Sequence, residues 1–241
     1  MPSARLRSED AAQLTKTHYP QFCALARAAE IVGERWTLLI VRELLLGPKR
    51  FSDLVERLCG VSPTVLTGRL NALIESGVVQ RAALPAPFNA QTYELTPVGL
   101  ALKPAIRELI RWGGHFLFPL RPDDTFEPDS VLLGLDAITR QTPTPARRIA
   151  LRVTHGDKSA SFLVQGGPQG TTLSRGDGPA SATIETRFDT LLRILSTQLP
   201  LEQALSEKLA HVEGSIAVAR GLSRMFDLSD RQCARDPRAS K

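Results

Sequence analysis

No apolar run in this 241-residue chain approaches the roughly 18 residues needed to cross a bilayer. The longest candidate, Trp36 to Leu46, is interrupted by Arg42 and Glu43. The opening MPSARLRSED carries charge but no apolar core segment, so no secretory leader is read there. Three cysteines, Cys23, Cys59 and Cys233, are too few for a secreted disulfide framework. A soluble, cytoplasmic protein is expected. Catalytic signatures are missing too. The histidines at 18, 115, 155 and 211 are scattered without metal-ligand spacing. There is no P-loop, no G-x-S-x-G and no dinucleotide fingerprint. Gly166-Gly167-Pro168 and Gly176-Asp177-Gly178 read as turn chemistry rather than phosphate cradles. The sequence therefore predicts a non-enzyme that needs no metal and no cofactor.

What remains is ordinary globular material, 42% hydrophobic and 23% charged, long enough for two small domains. The formal net charge is +5, and it is unevenly placed. Residues 1–120 hold 14 Lys/Arg against 10 Asp/Glu, and residues 121–241 hold 16 against 15. Most of the excess sits in the first half, which permits a polyanionic partner without requiring one. Phe118 to Ser130, FPLRPDDTFEPDS, is proline-rich, acidic and aperiodic, and reads as a linker. The expected units are 1–120 and 130–230, with 231–241 a flexible tail. No internal repeat is found.

The first half reads as helices followed by a hairpin. Cys23 to Val32 spaces Leu25, Ala28, Ala29 and Val32 as a short amphipathic helix stopped by Gly33. Glu34 to Leu46 predicts a second helix, ended by Gly47-Pro48. Phe51, Leu54, Val55 and Leu58 form one buried stripe. After a turn holding Gly60, Ser62-Pro63 supplies an N-cap with proline at the first helical position. From Pro63 to Ser76, Leu66, Leu70, Leu73 and Ile74 face inward while Thr64, Thr67, Gly68, Asn71 and Glu75 face outward. Val78 to Ala83 and Gln91 to Leu95 predict two strands joined by LPAPFNA, and Val98 to Phe118 a long last helix. Helix, short turn, helix and hairpin make a winged helix-turn-helix, whose second helix suits a major groove.

The second half predicts strands over Arg147 to Thr154, Ser159 to Gln165, Thr171 to Arg175 and Ala182 to Thr186, with a turn at His155-Gly156-Asp157. Phe188 to Leu199 is amphipathic, and the stretch Ala210 to Gly214 precedes a last amphipathic helix. The fold class is α+β: a winged helix-turn-helix followed by a small α+β domain.

The run GERWTLLIVRELLLGPKRFSDLVERLCGVSPTVLTGRLNALIESGVVQR (33–81), followed by YELTPVGLAL (93–102), resembles the HxlR-type family of bacterial winged-helix transcription regulators. The likeness covers about residues 20 to 118. It implies a homodimer joined by its terminal helices, with Ser62, Thr64, Thr67, Arg69 and Asn71 facing double-stranded DNA. Many members carry Cys-Pro at the start of the first helix, and some use that cysteine as a redox sensor. Here Cys23 is followed by Ala24, so a small apolar residue near the dimer seam is the favoured role and redox sensing the rarer one. Residues 182–228 resemble a sterol-carrier-protein-type domain, which implies an apolar tunnel and a small hydrophobic ligand.

Around the recognition helix, Lys49 and Arg50 are candidate phosphate contacts. Arg81, Asn89 and Gln91 flank the wing and are candidate backbone or minor-groove contacts. Arg69 is placed to pair with either an acid or a phosphate. In the second half Phe162, Leu173, Ile184, Leu191, Leu195, Val212, Ile216 and Met225 recur on inward faces. Taken singly each is a core filler, and the sterol-carrier resemblance makes them candidate ligand contacts. The leading reading is a dimeric DNA-binding transcription regulator with a ligand-sensing or dimer-bracing second domain and no membrane partner. Two rivals stand beside it. One is a lipid- or small-molecule-binding protein whose winged domain serves mainly to dimerise, and the other is an enzyme acting on a hydrophobic substrate.

Overall fold

A computed structural model describes residues 18–83, 90–117 and 127–228. Compact packing divides the chain into Met1–Lys103 and Pro104–Lys241. No helix among the described residues is long and apolar enough to cross a membrane.

The first unit opens with α1 (Ala24–Val32), α2 (Thr37–Leu45), α3 (Phe51–Arg57) and α4 (Pro63–Glu75). It continues through the antiparallel hairpin β1 (Val79–Ala83) and β2 (Gln91–Leu95) to α5 (Pro97–Leu100). Ile40, Val41, Leu44, Leu54, Leu58, Leu66, Leu70 and Leu73 are at most 3% exposed and make its core. Among them lies a carboxylate: Glu43 is fully buried. It accepts from Arg42 at 2.6 and 3.0 Å and from Arg57 at 3.4 Å, which joins α2 to the end of α3. A lone buried charge would be costly, so this pairing is what lets Glu43 stay in the core.

Two expected helices are shorter than their periodicity suggested. The second begins at Thr37 rather than Glu34, because Trp36 takes a left-handed φ of 78° and cannot continue a helix backward. The long helix expected over Val98 to Phe118 is broken. Ala101 and Leu102 form a turn, and α6 (Lys103–Gly113) starts anew, followed by a 3-10 turn at Gly114–Phe116. Pro104 is the cause: it has no N–H to offer the Leu100 carbonyl, and its ring would crowd that carbonyl in a continuous helix.

The second unit takes in α6. Arg107 donates to the Asp136 carboxylate at 2.8 Å and to its carbonyl at 2.9 Å, and Arg111 donates to the Ala137 carbonyl at 2.7 Å. These carbonyls end α7 (Pro128–Ala137), where cations suit the negative end of the helix dipole. α7 claims Pro128 to Ser130 from the expected linker, with Lys158 and Arg175 pairing Glu127 and Asp129 at its start. Residues 118–126 of that linker lie outside the described residues.

β3 (Arg148–His155), β4 (Lys158–Gly167), β5 (Gly170–Arg175), β6 (Ala182–Arg187) and β7 (Ala210–Gly214) form one sheet in the order β5-β4-β3-β6-β7. Only the β3–β6 pair is parallel. Period-two alternation puts Ile149, Leu151 and Val153 of β3 and Phe162 and Val164 of β4 on one face with no exposed surface. Against that face pack residues of α7, of α8 (Phe188–Leu195) and α9 (Leu201–Ser206), and of α10 (Ile216–Ala219) with its following 3-10 turn Leu222–Met225. The other face is more polar: Arg152 there bonds Glu185 at 2.8 Å and Asp177 at 3.2 Å, which raises its already high pKa.

Three expectations for this half are corrected. Ala210 to Gly214 is the edge strand β7, not merely a lead-in to a helix. The helix from Phe188 stops at Leu195, with Thr197 at a left-handed φ of 60°. The last amphipathic segment is split into two short turns at Gly221, where the Arg147 guanidinium occupies the place a Cβ would need.

Candidate nucleic-acid interface

Helix α4 presents the candidate interface. Leu66, Leu70 and Leu73 anchor its inner side at 0–1% exposure, so its rotation about its own axis is fixed. The Ser62 hydroxyl accepts the Val65 N–H at 3.3 Å and Pro63 occupies the first helical position, as the sequence predicted. That geometry leaves Thr64, Val65, Thr67, Gly68 and Asn71 exposed on the outward side. Thr67 returns its hydroxyl proton to the Pro63 carbonyl at 2.9 Å and keeps its methyl and a lone pair for other contacts. Gly60, at φ +89°, turns the chain between α3 and α4.

Arg69 sits on the flank and pairs with Glu34 at 2.8 Å, so of the two partners foreseen for it the acid is the one present. The same contact holds the turn ahead of α2, beside which Arg35 lies 5.2 Å over the Trp36 ring. Arg81, exposed on β1, reaches the Asn71 side-chain oxygen at 3.5 Å and brings a cation beside the outward face of α4. Gln91 is exposed at the start of β2, and Asn89 lies outside the described residues, with the rest of 84–89.

Lys49 and Arg50 precede α3. The Lys49 backbone pairs with Tyr93 in a β-bridge, and its ammonium donates to the Gly47 carbonyl at 3.1 Å and the Leu46 carbonyl at 3.4 Å. That ammonium therefore serves the C-terminal end of α2. Arg50 is the N-cap residue of α3, its N–H held by Asp53 at 2.9 Å. Val65 also lies on this outward face, although the sequence did not single it out. It is 40% exposed, and its signal was its position outside the leucine stripe.

Cys23 is exposed at the N-cap of α1. Cys59 is also exposed, and its thiol donates to the Glu56 carbonyl at 3.5 Å. In the second unit Phe162, Ile184, Leu191, Leu195 and Met225 are buried together in one core, with Leu173 and Val212 packed against it. Ile216 departs from the expectation at 47% exposure. Ser215 caps the single turn that follows and directs Ala219 inward, which leaves Ile216 on the solvent side.

Comparison with known proteins finds a match for each half. Residues 31–120 match the HxlR-like helix-turn-helix family and residues 136–227 the SCP-2 sterol transfer family. An uncharacterized HTH-type transcriptional regulator of Mycobacterium tuberculosis, Rv3095, is 40% identical over 94 residues, covering 39% of this chain and 59% of that protein. The match thus spans less than two thirds of the mycobacterial relative. YvaP of Bacillus subtilis, an uncharacterized HTH-type transcriptional regulator, is 38% identical over 93 residues, 39% of this chain and 86% of its own. The HTH-type transcriptional regulator YodB of the same organism is 35% identical over 92 residues, 38% of this chain and 82% of its own. With 86% and 82% of the two Bacillus relatives covered at 38% and 35% identity, and residues 31–120 matching the family model, the chain is a member of the HxlR-like helix-turn-helix family.

Proposed function

We propose that this chain is a DNA-binding transcription regulator of the cytoplasm that acts as a homodimer on a pseudo-palindromic operator. The observation that carries the reading is the outward face of α4. Short polar side chains, Thr64, Thr67 and Asn71, stand exposed on a helix fixed by buried leucines, with Arg81 beside them. A major groove admits such a helix, and asparagine there reads an adenine edge. Arg50 and Arg81 supply positioning contacts to phosphates. The relatives named as HTH-type transcriptional regulators support the same reading.

Dimerisation is supported by apolar residues that a single chain leaves in water. Leu25 on α1 is 77% exposed, and Trp112 and Phe116 are 63% and 66% exposed around the end of α6. Residues 1–120 then form the DNA-binding and dimerisation domain, on half-sites about 34 Å apart. Residues 130–230 bind a small hydrophobic ligand, a reading supported by the SCP-2 match and the shared apolar core. Such a ligand controls DNA affinity only by binding the free and DNA-bound dimers unequally.

The test is duplex binding by the full chain, using DNA that the chain itself selects from a random-sequence pool. Replacing Thr64, Thr67 and Asn71 together by alanine should cost about 1 to 3 kcal/mol for each base-reading position lost. Unchanged affinity in a folded triple variant would overturn the reading.

A further inference from the structure

Nothing in the fold requires a glycine at Gly68 of α4. Its φ is not left-handed, and an added Cβ would find nothing within 4 Å. Many other glycines have a local reason, although Gly113, Gly134 and Gly167 also have open space at the Cβ position. A Cβ on Gly99 would lie 2.2 Å from the Val78 carbonyl and one on Gly166 2.3 Å from the Pro145 carbonyl, while Gly60 and Gly77 need positive φ. Inside a helix a glycine lowers the folding equilibrium about fivefold relative to alanine. The chain accepts that loss at the centre of the face where short side chains are exposed. Thr64 and Val65 precede Gly68 by one turn, and Asn71 and Ala72 follow it by one turn.

We propose that Gly68 is the point of closest approach between α4 and DNA. This rests on the DNA-binding reading above. Threonine and asparagine are too short to reach base edges from a helix held off by a side chain between them. A bare backbone at Gly68 lets the helix sink until Thr64 and Asn71 both touch the groove floor. Val65 and Ala72 border this bare patch, so no long side chain holds the helix away there.

Gly134 provides the control. It too lies inside a helix, α7, with nothing within 4 Å of its Cβ position, but in the second unit. Full-length Gly68→Ala and Gly134→Ala chains should each unfold about 2 to 4 °C higher in the transition of their own unit. Their DNA binding should then diverge. On a duplex selected by the wild-type chain from a random pool, Gly68→Ala should bind at least about tenfold more weakly, the effect of one spoiled base contact. On an unselected duplex of equal length it should change by less than about threefold, because phosphate contacts persist. Gly134→Ala should bind both as wild type does. Wild-type affinity of Gly68→Ala for the selected duplex overturns the proposal, as does a Gly68→Ala chain less stable than wild type, since the glycine would then serve the fold. If the wild-type chain selects no duplex at all, the DNA-binding reading fails and the proposal falls with it.

Discussion

Residues 18–117 and 127–228 treat their large apolar side chains in opposite ways. The first stretch leaves Tyr19, Phe22, Leu25, Ile31, Leu39, Val65, Val98, Leu100, Leu109, Trp112, Phe116 and Leu117 exposed, and the second only Leu209 and Ile216. The second has a five-stranded sheet whose apolar face is covered by its own helices, so it needs no partner to be stable. The first has a two-stranded hairpin and short helices, too little structure to cover all its faces. Exposed large apolar side chains in that number point to surfaces that meet a partner. The difference teaches where to look for partners: on the surface of the first stretch and inside the second.

The largest effects should come from attacking the two cores separately. Glu43→Ala removes the carboxylate that Arg42 and Arg57 share in the core of this unit. It should destabilise the first unit by about 3 to 5 kcal/mol, as broken buried pairs do. Phe162→Ala opens the centre of the second core, where Phe162 has no exposed surface, and should cost about 3 to 5 kcal/mol there. Chemical denaturation of the full chain, followed by hydrogen exchange on each stretch, reads the two separately. Glu43→Ala with unchanged protection in α2 and α3 would break the account of the first core. If a hydrophobic ligand occupies the second core, adding it should recover part of the Phe162→Ala loss in proportion to its concentration.

Much of this was legible in the sequence, and the failures share a cause. The leucine stripe of α4, the Ser62-Pro63 cap and the two strands of the hairpin follow from periodicity and capping chemistry, which act within one element. What was misread depends on distant partners or on single backbone positions. Trp36 at positive φ shortens α2, and Pro104 breaks a helix whose apolar spacing runs on without interruption. β7 is an edge strand because β6 is there to pair with it, not because AHVEG alternates strongly. Among site residues, the outward set Thr64, Thr67 and Asn71 is exposed as expected. Arg69 is engaged by Glu34, the acid being one of its two expected partners, and the Lys49 ammonium by helix carbonyls that the helical wheel does not contain.

The next effect sharpens the contrast at the surface. Leu25→Asp combined with Phe116→Asp places charge on two residues that are mostly exposed in the single chain, so the fold should be unharmed. If these faces pair two copies, the variant should sediment as a monomer at micromolar concentration. Its affinity for a selected two-half-site duplex should fall about a hundredfold, the scale of avidity lost when two sites no longer act together. A double variant that stays dimeric and binds as wild type would move the dimer seam elsewhere.

The smallest effect concerns how the segment before α1 is held. Glu30 accepts the Tyr19 N–H at 2.8 Å and also meets Arg27 at 3.0 Å and His18 at 3.2 Å. Its pKa is held below the ordinary glutamate value, first by the bond from the Tyr19 backbone and then by Arg27, with partial desolvation opposing them. A depressed carboxylate pKa means that the folded chain binds the proton less readily than the unfolded one. The stabilisation is therefore complete above the unfolded pKa and is lost as pH falls through the lower folded pKa. Because the pair is at the surface, the effect on global stability should be slight and should shrink with added salt. The local readout is clearer. The Tyr19 amide resonance should titrate with a midpoint below that of a free glutamate, and Glu30→Gln should abolish that titration while leaving α1 folded. A Tyr19 amide that ignores acid down to unfolding, or that titrates at the ordinary glutamate value, would mean that Glu30 does not hold this segment to α1.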